Sequence, residues 1–145
     1  MDEKGVTAST IISFAKKLEE ESFKFYKQMA EKYTINKDLF LSFSEECRKT
    51  KSMLITTYEE TISDALEACF VKGVDLSDYV IEATITNDTD YLTALNMAIK
   101  LEETASKFYF VTAEQSEYLL ATISRALRKI AEIRSNRKNK LKSLL

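Results

Sequence analysis

The chain of 145 residues contains no histidine and no proline, and its only glycines are Gly5 and Gly73. Without histidine it cannot build a Ser-His or Cys-His nucleophile pair, and it can offer a metal no imidazole. With so few residues that break helices or form sharp turns, an all-α protein is expected. Cys47 and Cys69 are the only cysteines. Their spacing is no disulfide framework, which suggests reduced thiols. There is no Gly-rich phosphate loop and no C-x-x-C pair. No long apolar run follows Met1-Asp2-Glu3-Lys4, so no signal peptide or membrane span is read, and the cytosol is the expected compartment. A net charge of -2 gives no general signature of nucleic-acid binding.

The length fits one domain over residues 1–145. Two of its stretches match without a gap. Ala15, Lys17 and Leu18-Glu19-Glu20 correspond to Ala98, Lys100 and Leu101-Glu102-Glu103. Further along, Lys24-Phe25-Tyr26 and Ala30-Glu31 correspond to Lys107-Phe108-Tyr109 and Ala113-Glu114. A match this dense reads as an internal duplication.

Residues 1–8 are expected to be a loose arm, with Thr7 or Ser9 capping the first helix. Ile11, Ala15, Leu18, Ser22, Phe25 and Met29 form a bundle seam at alternating steps of three and four. This helix is expected to end near Tyr33. A short loop at 34–38, with Asn36 or Asp38 as the next cap, makes the following helix antiparallel. That second helix carries Phe40, Phe43, Cys47, Thr50 and Leu54, and is read as running past Ile62 to Leu66 and Phe70, with Gly73 as its stop. Residues 74–89 read as a long crossover, with one short helix at Leu76–Val80. Asp88 or Asp90 caps the third helix, which carries Leu95, Ala98, Leu101, Ala105 and Phe108. After a break at 114–117, the fourth carries Leu119, Ile123, Leu127, Ile130 and Ala131.

Two helix pairs joined by a long crossover, with Ala-x-x-x-Glu and then Phe-Tyr in helices one and three, resemble the rubrerythrin branch of the ferritin-like proteins. The resemblance covers nearly the whole chain and is densest over Leu92 to Tyr109. It implies a ferritin-like four-helix bundle that holds a carboxylate-bridged di-iron centre. One Glu comes from each of helices one and three, and a Glu-x-x-His pair from each of helices two and four. Glu19 and Glu102 match the first kind of ligand. The second kind is replaced: Cys47 and Thr50 fall on the helix-two positions, Arg134 and Arg137 on those of helix four. Glu45, Glu46 and Glu132 lie one or two residues off these positions, and since one residue turns a side chain by about 100°, they are expected to point away.

Two carboxylates and two guanidiniums cancel in charge, so a buried salt-bridge cluster is expected in place of the metal. On this reading no cofactor is expected and the protein is a non-enzymatic bundle that binds a protein partner or itself. The alternatives are an atypical di-iron or manganese oxidoreductase using Glu19, Glu102, Cys47 and Glu46, and an anion binder using Arg134 and Arg137. Tyr26 and Tyr109 lie seven residues after their Glu, either packing or bonding to the carboxylates across the bundle. Cys47 is read as a buried structural thiol, with a redox thiol favoured by Arg48 and Lys49 as the alternative. A homodimer is expected through Phe23, Phe110 and Val111. From Arg125 to Lys142 eight cations accompany only Glu132, giving a basic end at 138–145. They suit the negative end of a helix dipole, and no aromatics interleave to stack bases, so nucleic acid is not an expected partner.

Overall fold

The computed structural model describes residues 5–61, 70–118 and 121–145. Four long helices make up most of it: α1 (Ala8–Lys32), α2 (Lys37–Thr61), α3 (Tyr91–Ser116) and α4 (Ala121–Lys142). Short connections join α1 to α2 and α3 to α4, and these are the two closely packed helix pairs. The architecture is an all-α four-helix bundle with a crossover between the pairs.

The seams follow the three-four spacing. On α1, Ile11, Ala15, Leu18, Ser22, Phe25 and Met29 are all buried. On α2 the buried residues include Phe40, Phe43, Cys47, Thr50 and Leu54. On α4 the seam reads Ile123, Leu127, Ile130, Arg134, Arg137 and Leu141, with two arginines in the register of core residues. The apolar interior falls into two clusters. One holds Ile11, Ala15, Leu18, Leu54, Phe108 and Leu127. The other is built on Phe25, Met29, Phe40, Phe43, Leu95 and Leu141.

The caps resolve the sequence alternatives. Thr7 accepts from the Thr10 amide at 3.1 Å, and Asp90 accepts from the Thr93 amide at 2.7 Å. Asn36 adopts φ 59°, and its side-chain amide donates to the Tyr91 hydroxyl at 2.8 Å instead of capping α2. Tyr33 closes α1 by donating its backbone N–H to Met29 O at 2.9 Å.

Three expectations are corrected. Residues 1–8 are not a loose arm throughout: Gly5–Thr7 forms a strand, β1, antiparallel to β2 (Phe70–Lys72), and Ala8 begins α1. Val71 and Val74 are buried, and their contact with the first cluster ties this ribbon to the bundle. Phe70 is therefore a strand residue, not the end of the second helix. Gly73 turns the chain after β2 at φ 77°, where a Cβ would meet the Gln115 side chain at 3.2 Å, so its freedom serves a turn and not a helix stop. The expected helical course through Ile62 and Leu66, together with Leu119 and Cys69, lies outside the described residues.

The crossover begins with a 3₁₀ turn at Leu76–Tyr79, capped by Asp75. From Val80 to Thr86 it forms no helix, strand or turn, and burial alternates: Ile81, Ala83 and Ile85 are partly buried, and Val80, Glu82 and Thr84 are exposed. Lys32 anchors its far end, donating to Thr86 O and, at 2.8 Å, to Thr89 O, while the Tyr33 hydroxyl donates to Thr89 O at 2.5 Å. Among the described residues no helix is long and apolar enough to cross a membrane. Of the residues expected at a dimer surface, Phe110 is exposed, whereas Phe23 and Val111 pack partly against the core.

Asp90 alone supplies the α3 cap. Asp90→Ala is expected to lower the unfolding free energy by about 1 kcal/mol, and Asp88→Ala to change it by less than about 0.5 kcal/mol, both read by urea denaturation.

Candidate functional site: a buried carboxylate–guanidinium cluster

Between the two apolar clusters lies a layer of charge. Glu19 on α1, Glu102 on α3 and Arg134 on α4 are each 1% exposed or less, and Arg137 is 4% exposed. They reach the interior because they stand on or beside the seams of their helices. On α4, Arg134 and Arg137 occupy seam positions outright.

Arg134 bridges the two carboxylates. Its Nη1 donates to both oxygens of Glu102 at 3.0 Å, and its Nη2 donates to Glu19 Oε2 at 2.7 Å and to Ser22 Oγ at 2.9 Å. The Ser22 hydroxyl in turn donates a hydrogen bond to Leu18 O at 2.8 Å. Arg137 lies beside Glu102, donating from Nη1 to Glu102 Oε2 at 3.3 Å and to Cys47 Sγ at 3.5 Å. Its guanidinium sits 5.3 Å from the Phe43 ring centre and 5.9 Å from that of Tyr26, within cation–π range.

The tyrosines cross the bundle reciprocally. Tyr26 of α1 donates its hydroxyl to Glu102 of α3, and Tyr109 of α3 donates to Glu19 of α1 at 2.5 Å. Packing alone, the other reading of these residues, is thereby corrected.

One other residue differs from expectation. Glu46 does not point away: although its side chain is 51% exposed, its Oε1 accepts from Arg137 Nη2 at 2.8 Å and closes the cluster at the surface. A flexible Glu side chain spans the angular offset that a fixed 100° step predicts. Glu45 is exposed and pairs with Arg48, and Glu132 is exposed. Cys47 is fully buried, and Arg48, turned to Glu45, does not favour its thiolate. Thr50 is buried on the same α2 seam and lines a surface groove with Glu46, Lys49 and Ile133. Among the described residues it makes no hydrogen bond to the cluster.

Electrostatics keep the two arginines charged and the thiol and the phenols neutral. Burial opposes the charge on Arg134, but Glu102 and Glu19 outweigh it and keep the guanidinium protonated well above its ordinary range. For Arg137 burial again opposes, and Glu102 again prevails. Burial pushes the Cys47 thiol up to about 12. Burial and then the facing carboxylates push the Tyr26 and Tyr109 phenols well above theirs. Among the described residues, two buried side-chain atoms, Glu19 Oε1 and Arg137 Nε, have no hydrogen-bond partner. Among the described residues, no three His, Cys, Asp or Glu side chains converge as a metal-donor set.

No protein-family model and no curated protein matches the chain. A solved structure does: a protein from Thermotoga maritima, provisionally described as ferritin-like and diiron-carboxylate. Its TM-score is 0.75 at 19% sequence identity, over 99% of this chain and 97% of that one. The likeness establishes the fold: this is a ferritin-like four-helix bundle.

Two predictions follow from the charges. Arg134→Met leaves two buried carboxylates without their shared cation and is expected to cost about 3–5 kcal/mol. Adding Glu19→Gln and Glu102→Gln removes the stranded charges and should recover roughly half of that loss in urea denaturation. For pH, Cys47 and the two tyrosines lose their protons at higher pH in the folded chain than in the unfolded one. Below about pH 9 both states hold these protons and stability is flat with respect to them. Above it the unfolded chain releases them first, so stability falls as pH rises, by up to about 1.4 kcal/mol per pH unit for each group. Cys47→Ala should flatten the part of the decline between pH 9 and pH 10, measured as the urea midpoint against pH.

Proposed function

We propose that this protein is a degenerate ferritin-like bundle, allied to the rubrerythrin branch, in which an arginine-carboxylate cluster fills the place of a di-iron centre. Its role is then that of a non-enzymatic binding or structural protein. The observation that carries this reading is the Arg134 bridge: one guanidinium accounts for three of the four carboxylate oxygens of Glu19 and Glu102.

The residues present do not fit a carboxylate-bridged di-iron group. Such a centre needs four inward carboxylates and two imidazoles. This chain brings Glu19 and Glu102 inward, with Glu46 at the rim, and has no histidine. At the remaining positions it places a neutral thiol, a hydroxyl and two cations that would repel a metal ion. Arg134 supplies in one group what a bridging metal would supply: positive charge between α1 and α3, held from α4. The matching stretches of α1 and α3 support descent from a duplicated helix pair, and the reciprocal tyrosines are what such a pair would build.

The competing reading is a metal-dependent oxidoreductase, favoured by the description of the Thermotoga maritima protein as diiron-carboxylate. Metal loading separates the two. After anaerobic incubation with Fe(II) or Mn(II) and desalting, the protein should retain less than about a tenth of an equivalent by elemental mass spectrometry. A quadruple variant, Cys47→Glu, Thr50→His, Arg134→Glu and Arg137→His, restores the donor set and should retain about two equivalents if the positions are correctly matched. One or two equivalents on the natural chain, lost in Glu19→Ala and Glu102→Ala, would overturn the proposal.

A further inference from the structure

The crossover carries a feature that the bundle does not use. Residues 81–85 lie in no helix, strand or turn, and burial alternates along them as in an extended segment: Ile81, Ala83 and Ile85 pack against the apolar clusters while Glu82 and Thr84 are exposed. With side chains directed down and up, the backbone N–H and C=O groups of an extended segment point sideways. Among the described residues none of the five has a backbone hydrogen-bond partner. Such a segment is a strand without a sheet: a row of lateral donors and acceptors about 16 Å long.

One edge borders a groove of about 500 Å³ between the crossover and α3. Its far wall is α3, with Met97 and Leu101 giving apolar surface and Lys100 a positive charge, while Glu82 puts a negative charge on the crossover side. Lys100 is exposed and has no ion pair among the described residues. The opposite edge, toward Phe14 and Leu18 of α1, leaves only about 130 Å³.

We propose that this groove takes an extended peptide segment of a partner protein, added as a β-strand to residues 81–85, with apolar side chains toward Met97 and Leu101 and an acidic one toward Lys100. Backbone pairing supplies the attraction and the groove wall the selectivity, as in other strand-addition sites. A second copy of this chain could offer its own crossover edge only by bringing its whole bundle against the α3 wall of the groove. A free segment is needed. This deepens the binding half of the function proposed above, and it involves no residue of the Glu19–Arg134 cluster.

The test is amide hydrogen exchange by NMR on the natural protein. The probe is a pool of capped hexapeptides, alternating Thr with Val, Ile, Leu or Phe, with one Asp or one Lys. N–H and C=O of one strand residue point to the same edge, so a paired guest protects alternate residues only. With the Asp pool, exchange at either 82 and 84 or 81, 83 and 85 should slow by about tenfold. An N-methylated pool, unable to pair, should give no protection. Lys100→Glu should shift the preference from the Asp to the Lys peptides by about fivefold or more. No slowing at millimolar peptide, protection of all five amides alike, or equal protection by the N-methylated pool would overturn the proposal. Because the readout is confined to the crossover amides, such a failure leaves the filled-core reading standing, and a metal-loading result leaves the strand site standing.

Discussion

The Arg134 guanidinium lies between two carboxylates that belong to different helix pairs, and the interior is arranged around that contact. Glu19 comes from α1, Glu102 from α3 and the cation from α4. Each ion is removed from water, at a cost of several kcal/mol per ion, so the layer is tolerable only because every charge is met by another. Its net worth is small, and its fragility is large: apolar residues of the same volume would hold the bundle together as well, but the loss of any single member strands the others. The network therefore sets which residues must stay together more than it sets how stable the fold is.

That requirement explains the surroundings. The tyrosine hydroxyls and the second arginine donate to the carboxylates, and the Ser22 hydroxyl accepts from Arg134. The apolar clusters above and below carry the packing that the charged layer cannot. The two carboxylates are not equally served. Glu102 receives Arg134, Arg137 and Tyr26, whereas Glu19 receives Arg134 and Tyr109 and keeps Oε1 unpartnered. The imbalance follows from α4 bringing two cations while α2 faces the layer with Cys47 and Thr50, neither of which is charged.

Much of this was legible in the sequence because helical spacing fixes direction. Ile123, Leu127 and Ile130 mark the α4 seam, and the resemblance to the rubrerythrin branch puts Arg134 and Arg137 at inward ligand positions on the same helix, so the burial of two arginines was legible. Glu19 and Glu102 were legible from the matching stretches and their place beside the seams. What spacing does not encode is reach. Glu46 lies off the seam, yet its flexible side chain bends back to Arg137. Nor does spacing encode pairing between segments far apart in the chain. Gly5–Thr7 meets Phe70–Lys72 across more than sixty residues, and three-residue strands are too short to show an alternating pattern. The crossover was recognised only as poor helix. Its alternation at 79–85 has the period of a strand, but no strand partner lies beside it to make that period count.

The two ends of the crossover are held for different reasons, and the difference bears on what its middle can do. At one end Asp75 caps the 3₁₀ turn, and Tyr79 stacks edge-on with Phe108. At the other, Lys32 and Tyr33 of α1 take the carbonyls of Thr86 and Thr89, and Asp90 starts α3. Between these anchors only side-chain packing fixes 81–85, and it leaves the backbone to solvent. A segment already extended and already tethered at both ends loses little conformational entropy when a second strand pairs with it. The interior of this bundle is closed by its own charges. The surface along the crossover still has unspent hydrogen-bonding capacity, already held in the geometry that an extended partner requires.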